Sequence, residues 1–448
     1  MPISRRNLLK FSTLATATTL LNATDVVKLK ESTKSNSIDS NKALLPKQKG
    51  KRVVIVGGGW SGLTVAKYTK LFAPNSEIIL VEQRDHFVSC PLSNLWIVDK
   101  IDLEFLTHDY LQAARKNGYT YFKATATGVD KKNQVLETTE GEIDYDYLLF
   151  APGIDYDYSC WTDDIGLERR LRQEYPAGFI PGSEHITLRN KVLNFKGGNF
   201  ILTVPKGNYR CLPAPYERAC VIADYFKHKK LNAKVILLDE NNSVTIKEKG
   251  FMSAFNKLYK NYLEYYPNSK IESFDLDNKI VETEFEEFKF EDAAFYPHIR
   301  GAKILEKVGI AKDTQHNKLE GNINNLTYEV IGEKNIFISG DARPMGFSKS
   351  GNTSNSEGQF VARILASKIN NQKLPKWDSP TTTCFSAISI EPERAIYIYT
   401  QYAYTDEKRF KFNDTSSSED WHNEDGLTNA QSVYSWASTL YMDMFDNY

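Results

Sequence analysis

The chain lacks the spaced cysteines and histidines that mark metal or haem sites. Five cysteines stand among 448 residues, and no two of them form a CxxC. Zinc ribbons, thioredoxin-type sites and covalent c-type haem are therefore not expected on this chain. The seven histidines are scattered, without metal-ligand spacing. Five cysteines are too few for a disulfide scaffold, and a chain of this length buries enough core to fold without one. Their odd number leaves at least one unpaired within the chain. A charge bias is missing too. Lys and Arg total 56 against 57 Asp and Glu, a net charge of -1, which argues against a nucleic-acid-binding surface. No run reaches the roughly 18 apolar residues that a transmembrane helix needs. What is present is 41% apolar and 25% charged residues, the balance of a soluble globular protein. The length sets a prior of about three domains.

The N-terminus precedes any fold. Ser4-Arg5-Arg6-Asn7-Leu8-Leu9-Lys10 leads into Phe11 to Ala23, a stretch rich in Ala, Thr and Leu. This stretch is too short to cross a hydrocarbon core of about 30 Å. Its paired arginines resemble bacterial twin-arginine signals, which export folded proteins; an ordinary basic N-terminus is the alternative. The expectation is a Tat signal over 1–23, with a poorly marked cleavage site at Leu21-Asn22-Ala23, and a periplasmic protein. Residues 24–49, rich in Lys, Ser and Asn, read as a linker.

The apolar run Arg52 to Val56 reads as a buried parallel strand. Gly57-Gly58-Gly59-Trp60-Ser61-Gly62 follows, then a helical stretch closed by Pro74, then the strand Ile78 to Val81 ending at Glu82. This βαβ unit holds the G-x-G-x-x-G of a dinucleotide site. Gly57 permits the tight turn, Gly59 lets backbone approach a pyrophosphate, and Gly62 allows close packing of helix on strand. Glu82, at the end of the second strand, suits a carboxylate accepting from ribose hydroxyls. Tyr147 to Gly153 resembles the strand and small turn that close the FAD domain of flavoproteins with two dinucleotide domains. Ile336 to Asp341 resembles their second FAD signature, in which the Asp meets the ribityl chain; a turn cap is the plain alternative for Asp341. The helix after it, from about 354 to 369, points its positive end toward the flavin pyrimidine.

A second βαβ unit spans Asn199 to Asp239, with a helix near 215–228, but it has no glycine fingerprint. Its turn reads Pro205-Lys206-Gly207-Asn208-Tyr209-Arg210-Cys211-Leu212-Pro213-Ala214-Pro215. Bulky residues and prolines there block a pyrophosphate and remove amide donors, so no NAD(P)H is expected. Acid-rich strands cover about 270–292, and Pro375 and Pro380 mark the boundary to a last segment.

Three cysteine contexts carry a longer resemblance: Val88-Ser89-Cys90-Pro91-Leu92-Ser93-Asn94, Tyr209 to Ala219 around Cys211, and Thr383-Cys384-Phe385-Ser386. Lys349-Ser350-Gly351 and Tyr434-Ser435-Trp436 add to it. From about residue 50 onward the chain resembles the flavoprotein subunit of flavocytochrome c sulfide dehydrogenase, a relative of sulfide:quinone oxidoreductases. The resemblance implies an α/β fold with two Rossmann-like three-layer domains of glutathione-reductase type and a C-terminal α+β domain. The first is discontinuous, over 50–162 and 305–374. The second spans 163–304, and the C-terminal flavin-covering and partner-interface domain spans 375–448. It implies FAD, held covalently through Cys90 as a thioether, where the plain reading is a buried thiol. It implies a redox-active disulfide between Cys211 and Cys384 that oxidises sulfide and reduces the flavin by two electrons; a structural bridge or two unrelated thiols are the alternatives. Glu217 is the candidate proton acceptor, unless it is an exposed helix-start carboxylate. Lys349 is placed near the flavin N1/C2=O edge, unless it is a solvated loop lysine. Cys160 and Cys220 fall outside these contexts and read as packing thiols. One departure is Ala214, where the family pattern has Gly before Pro-Tyr-Glu-Arg, at the substrate entrance.

The implied electron acceptor is a c-type cytochrome subunit, because no haem motif lies on this chain. Residues 406–446 hold nine acidic against three basic residues, a patch able to steer a basic partner or simply a solvated tail. Two other readings stay open: a sulfide:quinone oxidoreductase, and a non-catalytic flavin electron-transfer scaffold. The quinone enzyme needs a membrane-contacting surface, which the acidic C-terminus does not favour.

Overall fold

The first sheet forms around the run that the sequence marks as most apolar. In the computed structural model, which describes residues 41–446, Val53, Val54 and Ile55 have no exposed surface. The chain divides between Lys42 and Ala43, and the sheets and helices of the described residues belong to the unit that begins at Ala43. The expected export signal lies outside the described residues. Arg52–Val56 pairs in parallel with Glu77–Glu82 on one side and Tyr147–Phe150 on the other. Thr120–Lys123 and Ile336–Ile338 complete five parallel strands. Uninterrupted apolar strands are what a sheet covered on both faces requires. The strand Ile336–Ile338 returns from far along the chain, so this sheet is assembled from two separated stretches.

Two helices pack together beside this sheet, Trp60–Phe72 and Gly351–Ile369. Their backbones come close because of Gly358. A β-carbon there would lie 2.9 Å from the Thr64 side chain and 3.1 Å from the Ser61 carbonyl oxygen. Arg343 and Glu357 form an ion pair at 3.0 Å beneath the second helix, both with no exposed side-chain surface. The remaining Arg343 N–H groups donate to the carbonyls of Met345 and Ser348.

The second βαβ unit forms its own parallel sheet, ordered Leu263–Tyr266, Ala233–Asp239, Gly198–Val204, Asp292–Ala294. The helix Ala214–His228 comes after its first strand. The acid-rich strands make a separate antiparallel meander of Ile271–Asp275, Ile280–Thr283 and Glu287–Lys289. Val281 and Phe288 turn inward while Glu282 and Glu287 stay exposed, as a half-buried sheet demands. The chain crosses between the two parallel sheets twice, and the crossings Ile154–Asp157 and His298–Gly301 pair with each other.

The last segment is an antiparallel meander, Thr382–Ile390, Glu393–Tyr404 and Phe410–Ser418, ending in the helix Glu424–Phe445. The acidic tail serves two ends. Asp443 accepts from Tyr68 at 2.6 Å and from Asn355 at 2.8 Å, and the Lys67 ammonium donates to the Asp446 carbonyl at 2.7 Å. These contacts dock the helix on the first domain. Asp406, Glu407, Asp414, Asp420, Glu424 and Asp425 remain exposed.

The buried pair generates a stability test. Glu357→Ala strands the Arg343 charge and is expected to lower unfolding free energy by roughly 3–5 kcal/mol in urea titration monitored by circular dichroism. Replacing both partners, as Arg343→Met with Glu357→Leu, is expected to recover most of that loss, because no unpaired charge is then left inside.

Candidate active site

The turn after Arg52–Val56 is shaped by what a β-carbon would strike. Gly57 has φ of +104°, and a β-carbon there would lie 2.4 Å from the Ala151 carbonyl oxygen. At Gly62 a β-carbon would lie 1.9 Å from the Gly57 oxygen, so only glycine lets the helix start this near the strand. Gly59 has nothing within 4 Å of its missing side chain and faces an open cleft of about 480 Å³. That volume lies within the usual range for cofactor sites. Glu82 supports the turn. One carboxylate oxygen accepts from the Gly58 N–H at 2.8 Å and the other from the Arg84 N–H at 3.0 Å.

Gly57, Gly59, Glu82, Cys90, Gly153 and Asp341 all lie on the wall of this one cleft. Gly153 has φ of +76°, and a β-carbon would sit 2.8 Å from the Arg210 guanidinium. Ser350, Gly351 and Ser354 bring the start of the Gly351–Ile369 helix to the same wall, with Ser350 capping it by accepting from the Thr353 N–H. A helix N-terminus favours negative charge on a bound group. The open face at Gly59, the glycine-only approach at Gly57 and Gly62, and the second helix start fit a dinucleotide such as FAD.

Asp341 and Lys349 differ in placement. Asp341 accepts from Arg210 Nε at 2.7 Å and from Ser354 at 3.1 Å. Burial works against its ionisation, but the charges of Arg210, Lys349 and Arg343 outweigh that and hold the carboxyl below its usual range. The Lys349 ammonium is fully buried. It is shared among Glu320 at 2.8 Å and the carbonyls of Asp341 at 2.7 Å and Arg343 at 2.8 Å. Its three donors are matched to three acceptors, so it is not a solvated loop lysine. Its backbone is what serves the site: the Cys211 N–H donates to the Lys349 carbonyl at 2.8 Å.

The turn of the second βαβ unit, which has no glycine fingerprint, instead carries Arg210 and Cys211 onto the cleft wall. Cys211 adopts the left-handed region, φ of +57°, which is uncommon for a residue with a side chain. Cys384 comes from the first strand of the last segment. All five cysteines are free thiols, so the pair is a dithiol here and not the disulfide that the resemblance implies. The two thiols are nonetheless neighbours, and each is the strongest influence on the other's ionisation. Cys211, with the nearby Lys247 ammonium and the Ser386 hydroxyl, favours the Cys384 thiolate against the penalty of burial. The proton stays on Cys211, whose thiol is pushed well above the ordinary range by Cys384 and by burial.

Glu217 stands on the first turn of the Ala214–His228 helix, buried rather than exposed. Burial and the charge on Cys384 push its carboxyl up to about 8. Cys90 lies on the cleft wall with its sulfur 3.8 Å from the Phe179 carbonyl, and burial pushes its thiol up. Cys220 is buried in the helix, and Cys160 donates to the Asp157 carbonyl at 3.2 Å. Ala214 lines the cleft, and its carbonyl accepts from Asn94 at 3.2 Å.

Three charged residues of this site carry no sequence motif of their own. Arg218 is buried, bonded to Asn94 and to the carbonyls of Ala177 and Gly178, with its guanidinium 4.1 Å from the Phe179 ring centroid. Arg210 bridges Asp341 and the Phe179 carbonyl. Lys247, buried, donates to Ser386 at 2.7 Å and to the Cys384 carbonyl at 3.1 Å. For the arginines a signal existed, because both lie within the Cys211 context, Tyr209 to Ala219. Lys247 sits in an undistinguished run, Asn241 to Gly250, and nothing local marks it.

The cradle makes a direct prediction. Gly57→Ala puts a side chain on a left-handed turn and into the Ala151 carbonyl. The variant is expected to purify with most of its flavin missing, read as the ratio of visible to ultraviolet absorbance.

Comparison with known proteins agrees with this geometry. The family model "Sulfide dehydrogenase (flavocytochrome c) flavoprotein chain, central" matches residues 186–295. "Flavocytochrome c sulphide dehydrogenase, flavin-binding" matches 378–445, and "Pyridine nucleotide-disulphide oxidoreductase" matches 15–174. The sulfide dehydrogenase flavoprotein chain of Chlorobaculum thiosulfatiphilum is 50% identical over 44 residues, 92% of that sequence and 10% of this chain. The mitochondrial sulfide:quinone oxidoreductase of Dictyostelium discoideum is 25% identical over 367 residues, 75% of this chain and 76% of that protein. The crystal structure of the sulfide:quinone oxidoreductase from Aquifex aeolicus shares the fold, with a TM-score of 0.67 at 14% identity over 89% of this chain and 92% of that one. With its α/β fold and its matched central and flavin-binding regions, the chain belongs to the flavocytochrome c sulfide dehydrogenase flavoprotein family.

Proposed function

We propose that this protein oxidises sulfide at the Cys211–Cys384 pair and passes the electrons through FAD to a c-type cytochrome in the periplasm. The observation that carries this reading is the meeting of Cys211 and Cys384, remote in sequence, at the edge of a dinucleotide cleft with Glu217 beside them. Two neighbouring thiols are poised to close a disulfide, the oxidised form that a sulfide anion attacks by thiol–disulfide exchange. Bound in the cleft, FAD supplies the two-electron sink. Cys211, on the cleft wall, is the sulfur that faces it. Glu217, held near neutrality by burial, takes the proton released as sulfide adds. Arg210 and Arg218 bring positive charge to the cleft wall, which favours an anionic reduced cofactor. Cys90, on the same wall, is the residue positioned to tether the flavin as a thioether.

The twin-arginine N-terminus supports export, and the family supports a cytochrome partner. No helix among the described residues is long and apolar enough to cross a membrane. The exposed acidic residues from Asp406 to Asp425 are the surface offered to a basic partner. The long match to a sulfide:quinone oxidoreductase favours a second reading, with a quinone as acceptor.

Sulfide-driven bleaching of the flavin, then reoxidation with cytochrome c or with a soluble quinone, tests the proposal and separates the two acceptors. Cys211→Ser and Cys384→Ser are each expected to abolish bleaching by sulfide while leaving bleaching by dithionite intact; sulfide turnover in either variant would end the mechanism. Acid precipitation is expected to leave yellow flavin on the wild-type polypeptide and to release it from Cys90→Ser.

Glu217 acts as a base only when ionised, so the sulfide-driven rate should climb as pH rises through its pKa, which burial holds above the usual carboxylate range. In Glu217→Gln that limb is expected to vanish, with the plateau rate lowered by about 10²–10⁴-fold. Stopped-flow pH profiles check both.

A further inference from the structure

Lys247 is the charged group of the site that no motif announces. It is 4% exposed, and its backbone occupies the left-handed region at φ of +53°. A long side chain on such a turn is uncommon, and non-glycine residues held there gather at functional sites. Cys211 is the other reactive residue in the same conformation. Lys247 precedes the helix Glu248–Lys257, yet it makes no side-chain cap there. Its ammonium reaches across to the last segment instead, to the Ser386 hydroxyl at 2.7 Å and the Cys384 carbonyl at 3.1 Å. These two bonds aim the charge at Cys384. The charged and titratable groups that face it are Cys384, Glu217, Cys211 and Glu419, all anionic when ionised.

The two sulfurs differ in what they face. Among the described residues, Cys211 lines the cleft that fits the flavin, and Cys384 stands outside that lining, toward Lys247 and Glu217. Lys247 and Glu217 thus gather on the Cys384 side of the pair.

We propose that Lys247 is a positioning residue that draws the sulfide anion to the Cys384 sulfur and holds the negative persulfide formed there. This rests on the reading of the pair as the site of sulfide oxidation. Hydrosulfide attacks Cys384 Sγ of the disulfide, and a new S–S bond forms as the Cys384–Cys211 bond breaks. The electron pair of the broken bond leaves on Cys211, on the cleft side. The proton of the new perthiol passes to Glu217, and the perthiolate on Cys384 is paired with the Lys247 ammonium. The assignment also names the order of events: Cys384 carries the sulfur and Cys211 is the leaving thiolate.

The test uses the flavin-loaded protein as wild type, Lys247→Gln and Lys247→Arg, with bound flavin and circular dichroism compared first. After reduction to the dithiol, alkylation of Cys384 by iodoacetamide is tracked by peptide mass across pH. In Lys247→Gln the midpoint is expected to rise by about one pH unit from about 6, a roughly tenfold slower reaction at pH values well below both midpoints, and Lys247→Arg is expected to restore it. In stopped flow, the second-order rate of bleaching by sulfide should fall by about tenfold or more in Lys247→Gln, with dithionite bleaching unchanged. After one addition of sulfide under anaerobic conditions, mass mapping should find the extra sulfur on Cys384.

An unshifted alkylation profile, an unchanged sulfide rate, or the extra sulfur on Cys211 overturns the proposal. If Lys247→Gln fails to fold, Lys247→Arg decides: a charge-bearing variant that folds but loses the Cys384 profile overturns it too. A shifted profile in a protein whose wild type ignores sulfide overturns the sulfide reading and leaves the hold of Lys247 on Cys384 in place.

Discussion

The fully buried ammonium of Lys349 holds the two halves of the site in register. It is matched to Glu320 and to the carbonyls of Asp341 and Arg343, which fixes the segment after the strand Ile336–Ile338. The carbonyl of the same residue receives the Cys211 N–H, so the turn of the second sheet is docked onto the end of the first. Arg210 reinforces the joint by pairing with Asp341 across it. A buried charge without partners is costly, and this one has a full set, so the geometry around it is sharply determined. Cleft wall and reactive cysteine are thereby positioned by one set of contacts.

This arrangement explains why the second βαβ unit carries no glycine fingerprint. A phosphate-binding turn must keep its backbone bare and its amides free. Here the equivalent turn is used to present Arg210 and Cys211 to the first domain's cleft. Prolines at 213 and 215 set the start of the helix that delivers Glu217 and Arg218. The third segment supplies what neither sheet has, a second thiol, on a strand whose Ser386 also anchors Lys247. Each of the three parts thus contributes residues to the site.

Burial and neighbouring groups act oppositely at the pair. Burial, helped by the charge on Cys384, raises the Glu217 carboxyl, while Cys211, the Lys247 ammonium and the Ser386 hydroxyl lower the Cys384 thiol against burial. The acidic tail shows the opposite regime. Asp443 is drawn inward to Tyr68 and Asn355, and Glu419 accepts from the Gly250 N–H, while Asp406, Glu407, Asp414, Asp420, Glu424 and Asp425 stay in solvent, so one compositional feature divides into docking contacts and an open surface.

The sequence determined the parts whose physics is local. Apolar runs such as Val53 to Ile55 specify buried parallel strands by their own composition. Gly57 and Gly62 belong to a turn whose spacing alone announces it, so their roles were legible before any fold. The cysteine contexts carried the reactive thiols and the neighbouring Glu217. The rest was decided by contacts between residues remote in the chain. Nothing near Lys349 reveals that its ammonium is consumed by Glu320, and nothing near Lys247 reveals that it faces Cys384. A lysine in a polar loop looks the same whether solvated or buried, because only the packing of other segments removes the water. The meeting of Cys211 with Cys384 is of that kind: sequence supplied two thiols, and the docking of the last segment on the second sheet made them a pair.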